Sequence, residues 1–265
     1  MRRLVSSAFA AAVAVFARRA VVVALVLLTA LCVAVEAQAE TPLRRPLSFL
    51  PAASILVVTP GAANVVERVM QVSPYLAPQA DTLTAHSARA FRRLAARQPD
   101  LARCSADTLA RLFLVTGEAH IAAALDRERL RRDSLLSAHP TDRATAQALL
   151  NTLGWVAASE GTDLYVNLPV DCMINVATPA LRCTVDQICE MGRVKYRLSG
   201  FPQHGSALRL HLRLPAGVEP DQVFLNGRRL LAPQIERGYL VVDRAWRNNE
   251  ELYYDLPERK QLFVE

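Results

Sequence analysis

The chain has 265 residues, with 31 Lys and Arg against 25 Asp and Glu and a formal net charge of +6. That length holds one large domain or two small ones, with room for a real core. Four Arg and one Glu in the first 39 residues supply +3 of the charge. Lysine occurs only at Lys195 and Lys260, and no basic block is interleaved with aromatics. The composition therefore excludes nucleic acid as a partner and predicts a mixed, solvated surface.

The N-terminus reads as a targeting signal. Arg2 and Arg3 precede an apolar stretch, Arg18 and Arg19 interrupt it, and Ala20 to Val35 then runs sixteen residues without a charge. Ala37-Gln38-Ala39 is a small-x-small cleavage site, followed by Glu40. Sixteen helical residues rise about 24 Å, short of a ~30 Å hydrocarbon core. A signal peptide over 1–39 is expected, with an uncleaved membrane anchor as the alternative. Cleavage leaves no stable membrane insertion and a secreted or periplasmic protein. Residues 40–61 carry several Pro and read as a linker.

Four cysteines then remain: Cys104, Cys172, Cys183 and Cys189. They allow three full pairings, and the sequence does not choose among them. Either one disulfide or buried thiols fits an exported chain. Zinc is disfavoured, because no C-x2-C pair exists and five residues lie between Cys183 and Cys189.

A helical period governs 62–160. Over 81–98, Leu83, Ala90, Phe91 and Leu94 make one stripe, stopped by Pro99. Ser105 is placed to cap a helix carrying Leu109, Leu112, Phe113 and Val115, ended by Gly117. A further helix spaces Glu128 and Arg132 for an i,i+4 pair. After Pro140-Thr141-Asp142, a last helix buries Leu149, Leu150, Leu153, Val156 and Ala157.

The period changes to two in 161–265. In "ALRLHLRLP", Leu208, Leu210, Leu212 and Leu214 alternate with Arg209, His211 and Arg213. That pattern predicts a strand with one buried face and one wet face. Asn226-Gly227 predicts a tight hairpin, since a type I′ turn needs positive φ at both central residues. Together with "DLYVNLPV", "RVKYRLSG" and strands near 238–242 and 251–256, six or seven short strands are expected. The fold class is α+β: a partial α-helical, α/α-barrel-like segment followed by an antiparallel β-sandwich. Trp246 reads as a core aromatic.

Chemistry-bearing residues are scattered. His86, His120, His139, His204 and His211 show no metal-binding spacing, and His120 and His139 read as surface residues. Asp163 and Asp243 read as turn or sheet-end residues. Neither a nucleophile elbow nor a phosphate-binding glycine loop is present.

Several stretches resemble glycoside hydrolase family 127, the β-L-arabinofuranosidases. "LGWVAASEGTDLYVNL" resembles that family's join between the last barrel helix and the first sandwich strand. "LRLHLRLPAGV" is similar to a strand leading into a Pro-containing turn. "VFLNGRR" with "GYLVVDRAWRNNEELYYDLP" resembles its terminal hairpin and strand pair, and "ARLFLVTGEAHIAAALDR" its paired barrel helices. The resemblance runs from about Cys104 to the C-terminus, and every piece of it is structural. It implies a zinc-held cysteine thiolate as nucleophile, with further Cys and Glu ligands and a Cys-Cys-Pro-Pro-Asn run. Here that run falls on Thr141-Asp142-Arg143-Ala144-Thr145, which has no cysteine. The upstream Glu-x-Cys is matched only by Ala102-Arg103-Cys104.

No catalytic, cofactor-binding or metal-ligating residue is therefore assigned, and no cofactor. The expectation is an exported glycoside-hydrolase-like protein, degenerate or truncated and inactive alone. The alternatives are a non-enzymatic module whose sandwich binds a glycan or a protein, and an active glycosidase whose site is rebuilt from Asp and Glu.

Overall fold

The computed structural model describes residues 46–50, 55–56, 84–139, 142–190 and 192–257, all within Leu43–Glu265. The signal peptide, most of the linker, Leu83 and Thr141 lie outside the described residues.

Among the described residues, four α-helices form the helical layer: α1 (Ala85–Ala95), α2 (Ala106–Thr116), α3 (Ala119–Ala138) and α4 (Arg143–Asn151). Their ends follow the local chemistry. Thr84 caps α1, and the Ser105 side chain accepts the Thr108 N–H at the start of α2. Gly117 closes α2 at φ 65°, in the left-handed region where glycine carries no side-chain penalty. In α3, Arg132 donates to Glu128 at 3.0 Å, the expected pair, and Arg131 joins it. After α4 the chain tightens into a 3-10 turn, Thr152–Trp155, before the first long-range strand pairing. Among the described residues no helix is long and apolar enough to cross a membrane.

Two sheets follow. The first has the order β1 (Ser48–Phe49), β3 (Ala157–Glu160), β4 (Asp163–Val166), β8 (Ser206–Leu212), β12 (Tyr239–Trp246), β11 (Gln234–Glu236). The second runs β10 (Arg228–Arg229), β9 (Phe224–Leu225), β13 (Glu250–Asp255), β7 (Arg193–Ser199), β6 (Arg182–Glu190), β5 (Cys172–Ala177), β2 (Ile55–Leu56). The expected sandwich is present, with more strands than the sequence pattern supplied. Among the described residues, every strand pairing is antiparallel except β4 with β8. Strands β1 and β2 arise inside the stretch read as a linker and pair with β3 and β5.

One apolar cluster runs through both sheets and the helices, and it includes Leu208, Leu210, Leu212, Val185, Leu198, Tyr254 and Phe113. Trp246 is fully buried, and its Nε1–H donates to the Leu208 carbonyl at 3.0 Å. The Asn226-Gly227 turn joins β9 to β10 with φ of 50° and 78°.

The alternating strand needs a correction. Its leucine face is buried from Leu208 to Leu212, with Leu214 half-buried, but at His211 and Arg213 the opposite face is not wet. His211 is 2% exposed and Arg213 9%. The reason is a third layer: helix α3 lies against this face. Ala119 N–H donates to Arg237 O, Gly238 faces the Ala119 methyl, and Arg213 reaches Asp126 on α3 at 2.6 Å. Arg213 enters the interior in a hydrogen-bonded ion pair, the condition under which buried charge is tolerated.

Candidate functional site

The helix-facing side of the first sheet gathers the residues with chemistry. Strand register sets them in rows. Glu160 pairs with Asp163, Asp163 with Arg209, and Arg209 with Asp243, across β3, β4, β8 and β12. The next row on the same face is Ala158, Tyr165, His211 and Val241.

The Tyr165 and His211 rings stack at 4.0 Å between centroids and 11° between planes, and Tyr239 meets Tyr165 edge-on. Arg209 leaves its own row to bond Glu236. Nε2 of His211 stands 3.9 Å from Oδ2 of Asp163, whose side chain is 30% exposed. Neither ring nitrogen of His211 has a hydrogen-bond partner among the described residues.

Burial, with the Arg209 and Arg237 guanidiniums adding to it, pulls the His211 pKa down to about 3, so the imidazole is neutral at physiological pH. Burial raises the Asp163 carboxyl above its usual range. Arg209 opposes the rise, while Glu160, Asp243 and Glu236 add to it. Burial pushes the Tyr165 phenol up to about 12. The arrangement offers one acceptor, one donor-acceptor imidazole and a flat stacked base. It can hold a hydroxyl or a water. It contains no activated nucleophile.

The other singled-out residues stay apart. His86, His139 and His204 are exposed, and His120 pairs with its neighbour Glu118 at 3.2 Å. Asp163 and Asp243, read as sheet-end residues, lie in one row separated by Arg209. The Asp163–His211 pairing was missed because it depends on the parallel β4–β8 register. Nothing local in either segment signals that register.

The residues present do not fit a zinc-held thiolate. The four cysteines among the described residues are free thiols. Burial pushes Cys183 and Cys189 up to about 12 and Cys172 higher still. Among the described residues no group of three His, Cys, Asp or Glu could hold a metal ion. Asp142, at one of the two positions aligned with the family's adjacent cysteines, accepts from Ala144 N–H and the Thr145 hydroxyl at the start of α4. It serves the helix terminus.

Fold and site together define an α+β protein with a β-sandwich backed by helices. Residues 163–258 match the family described as Beta-L-arabinofuranosidase, GH127 middle domain, so the resemblance read from the sequence holds over the sandwich. Among solved structures, the chain is similar to a GH127 β-L-arabinofuranosidase from Geobacillus stearothermophilus T6. The TM-score is 0.48 and the identity 15%, over 57% of this chain and 30% of that one. A second GH127 β-arabinofuranosidase gives 0.47 and 17%, over 57% and 31%. The chain thus spans under a third of the length of these solved relatives. No curated protein matches it.

Proposed function

We propose that the protein is an exported, non-catalytic relative of the β-L-arabinofuranosidases whose sandwich binds an arabinose-containing glycan. The observation carrying this reading is the fate of the aligned cysteine positions. Asp142 caps a helix, and the three sandwich cysteines are buried thiols with raised pKa. A thiol nucleophile acts as its thiolate. The sandwich is the part that matches the family, so what the chain retains of that family is a framework without its reacting group.

Export rests on Arg2, Arg3, the uncharged Ala20 to Val35 run and the Ala37-Gln38-Ala39 site. Glu40 is then the first residue of the secreted or periplasmic form, and mass spectrometry of that form reads it directly.

Two measurements test the function. Affinity electrophoresis in gels containing arabinan should retard the protein. An assay with an aryl β-L-arabinofuranoside should show no turnover, and metal analysis no stoichiometric zinc. Turnover abolished by thiol alkylation, with one zinc per chain, would overturn the reading.

A further inference from the structure

A cleft of about 420 Å³, within the size range of small-molecule sites, opens on the outer face of the second sheet. Ile188 and Glu190 of β6, Arg193 and Lys195 of β7, and Asp255 of β13 line it. Strand alternation turns these residues outward, while Val194, Tyr196 and Tyr254 between them are buried. The Arg193 and Asp255 side chains are 47% and 59% exposed, so the cleft meets solvent directly.

Register builds the cleft from two neighbouring rows. Asp255, Arg193 and Glu190 pair across β13, β7 and β6, and Tyr253, Lys195 and Ile188 form the next row. With about 4.8 Å between strands and about 6.8 Å between same-face rows, they cover roughly 10 by 7 Å. That footprint suits one sugar ring with its hydroxyls. Arg193 is fixed before any ligand arrives. Its Nε and Nη2 donate to Asp255 at 2.7 and 3.3 Å, and its guanidinium lies 4.6 Å from the Tyr253 ring centroid. Phe224 stacks on Tyr253 at 5.1 Å and steadies that ring. Lys195 stands 3.8 Å from Glu251, too far for a hydrogen bond, so its ammonium keeps donors for a ligand.

The lining selects the ligand. It holds two carboxylates and two cations on one small surface. An anion would meet Glu190 and Asp255, and a cation would meet Arg193 and Lys195. A neutral molecule with several hydroxyls uses both signs, because each O–H donates to a carboxylate or accepts from a cation. Such charge-assisted hydrogen bonds are the stronger kind, and a fixed Arg193 loses little freedom in making them. Ile188 offers an apolar spot for the C–H side of the ring.

We propose that this cleft binds one ring of a neutral carbohydrate, with Glu190 and Asp255 accepting from its hydroxyls and Arg193 and Lys195 donating to them. This puts the glycan reading above on a named surface of the sandwich, and it rests on that reading.

Affinity electrophoresis of the full chain in arabinan gels tests it, beside NMR of protein labelled with 15N-arginine. Glu190→Gln and Lys195→Met should each weaken retardation roughly tenfold, the equivalent of about one charge-assisted hydrogen bond. Neither side chain is buried, and an unchanged thermal midpoint shows that each variant folds. Arg229→Ala, on the β9–β10 hairpin, should leave retardation unchanged. The Arg193 Nε–H signal should shift saturably with an arabino-oligosaccharide and not with glycerol. Full retardation of both variants, or an unmoved Arg193 signal, removes the cleft and leaves the glycan reading standing. Stronger retardation by polygalacturonate, abolished by salt, would reveal a plain cation patch and overturn the neutral ligand. No retardation of the parent chain in arabinan removes both readings.

Discussion

Arg213 and Asp126 are 87 residues apart in sequence and 2.6 Å apart in space, joining the end of β8 to the middle of α3. Asp126 also accepts from Arg129 at 3.1 Å, and all three side chains are 15% exposed or less. Arg213 bonds the Asn167 carbonyl, while the Asn167 side chain accepts from the Tyr239 hydroxyl and donates to the Trp155 carbonyl. This network docks the helical layer on the first sheet.

Removing Asp126 strands two buried guanidiniums. Asp126→Ala should therefore cost about 3–5 kcal/mol. Asp255→Ala, which breaks the exposed pair with Arg193 (side chains 59% and 47% exposed), should cost no more than about 1 kcal/mol. Urea denaturation of both variants makes the comparison. Equal losses would mean the Arg213 network is solvated and does not hold the layers together.

The β8 strand separates two kinds of burial. Leu210 is fully buried, and Leu210→Ala should cost about 2–5 kcal/mol. Arg209→Ala should also exceed the ~0.5 kcal/mol typical of an inert surface site. It removes the pair with Glu236. A thermal-shift series on the two variants tests this, and an unchanged midpoint for Arg209→Ala would restore the wet-face reading.

Much of the fold was legible because its signals are local. The leucine stripe at 208–214 and the Asn226-Gly227 turn need only period and turn chemistry, and both appear where expected. Ser105 and Gly117 bound their helix for the same reason. Strands β5 and β6 were not legible. Their inward residues include Cys172, Cys183 and Gln187, so polarity does not mark the face, and Gln187 is buried only because it donates to the Leu168 and Val170 carbonyls. The candidate site was the least legible part. His211 and Arg213 read as solvated until a helix distant in sequence covers that face, and Asp163 meets His211 only through a parallel pairing.

His211 should make stability depend on pH in a definite direction. Its folded pKa of about 3 lies below the ~6.5 of an unfolded histidine. Between those values the unfolded chain binds the extra proton, so stability falls as pH drops from about 6.5 toward 3, by a few kcal/mol at most. Asp163 acts oppositely. Its raised carboxyl pKa favours the protonated folded form, so its contribution is lost as pH rises through that pKa. His211→Phe keeps an aromatic ring against Tyr165 and should flatten the acid limb. Parallel stability–pH curves for the variant and the parent chain would show that another group sets the limb.

The thiols give a separate check on the absence of an activated nucleophile. With Cys183 and Cys189 pushed up to about 12 and Cys172 higher, almost no thiolate exists near pH 8. A disulfide-exchange reagent should leave these three unmodified in the folded protein. After unfolding, it should titrate all four thiols of the processed chain. Rapid modification of any of the three in the native state would reveal a thiolate that burial does not suppress.

Gly205 offers the last contrast. Its φ is +83°, and a Cβ there would lie 2.7 Å from the Trp246 carbonyl oxygen. That carbonyl cannot easily retreat. Trp246 is paired with Ser206 across β12 and β8, and its indole is fixed on the Leu208 carbonyl. Gly192 has a similar φ of +76° with open space around it. Gly192→Ala should therefore show only the conformational cost, about 1–2 kcal/mol. Gly205→Ala adds a backbone clash and should lose clearly more, about 3 kcal/mol or beyond. Denaturation midpoints at unchanged slope measure both. Equal losses would mean that the β12 end yields to the added methyl, and that Trp246 is held less firmly than its hydrogen bond implies.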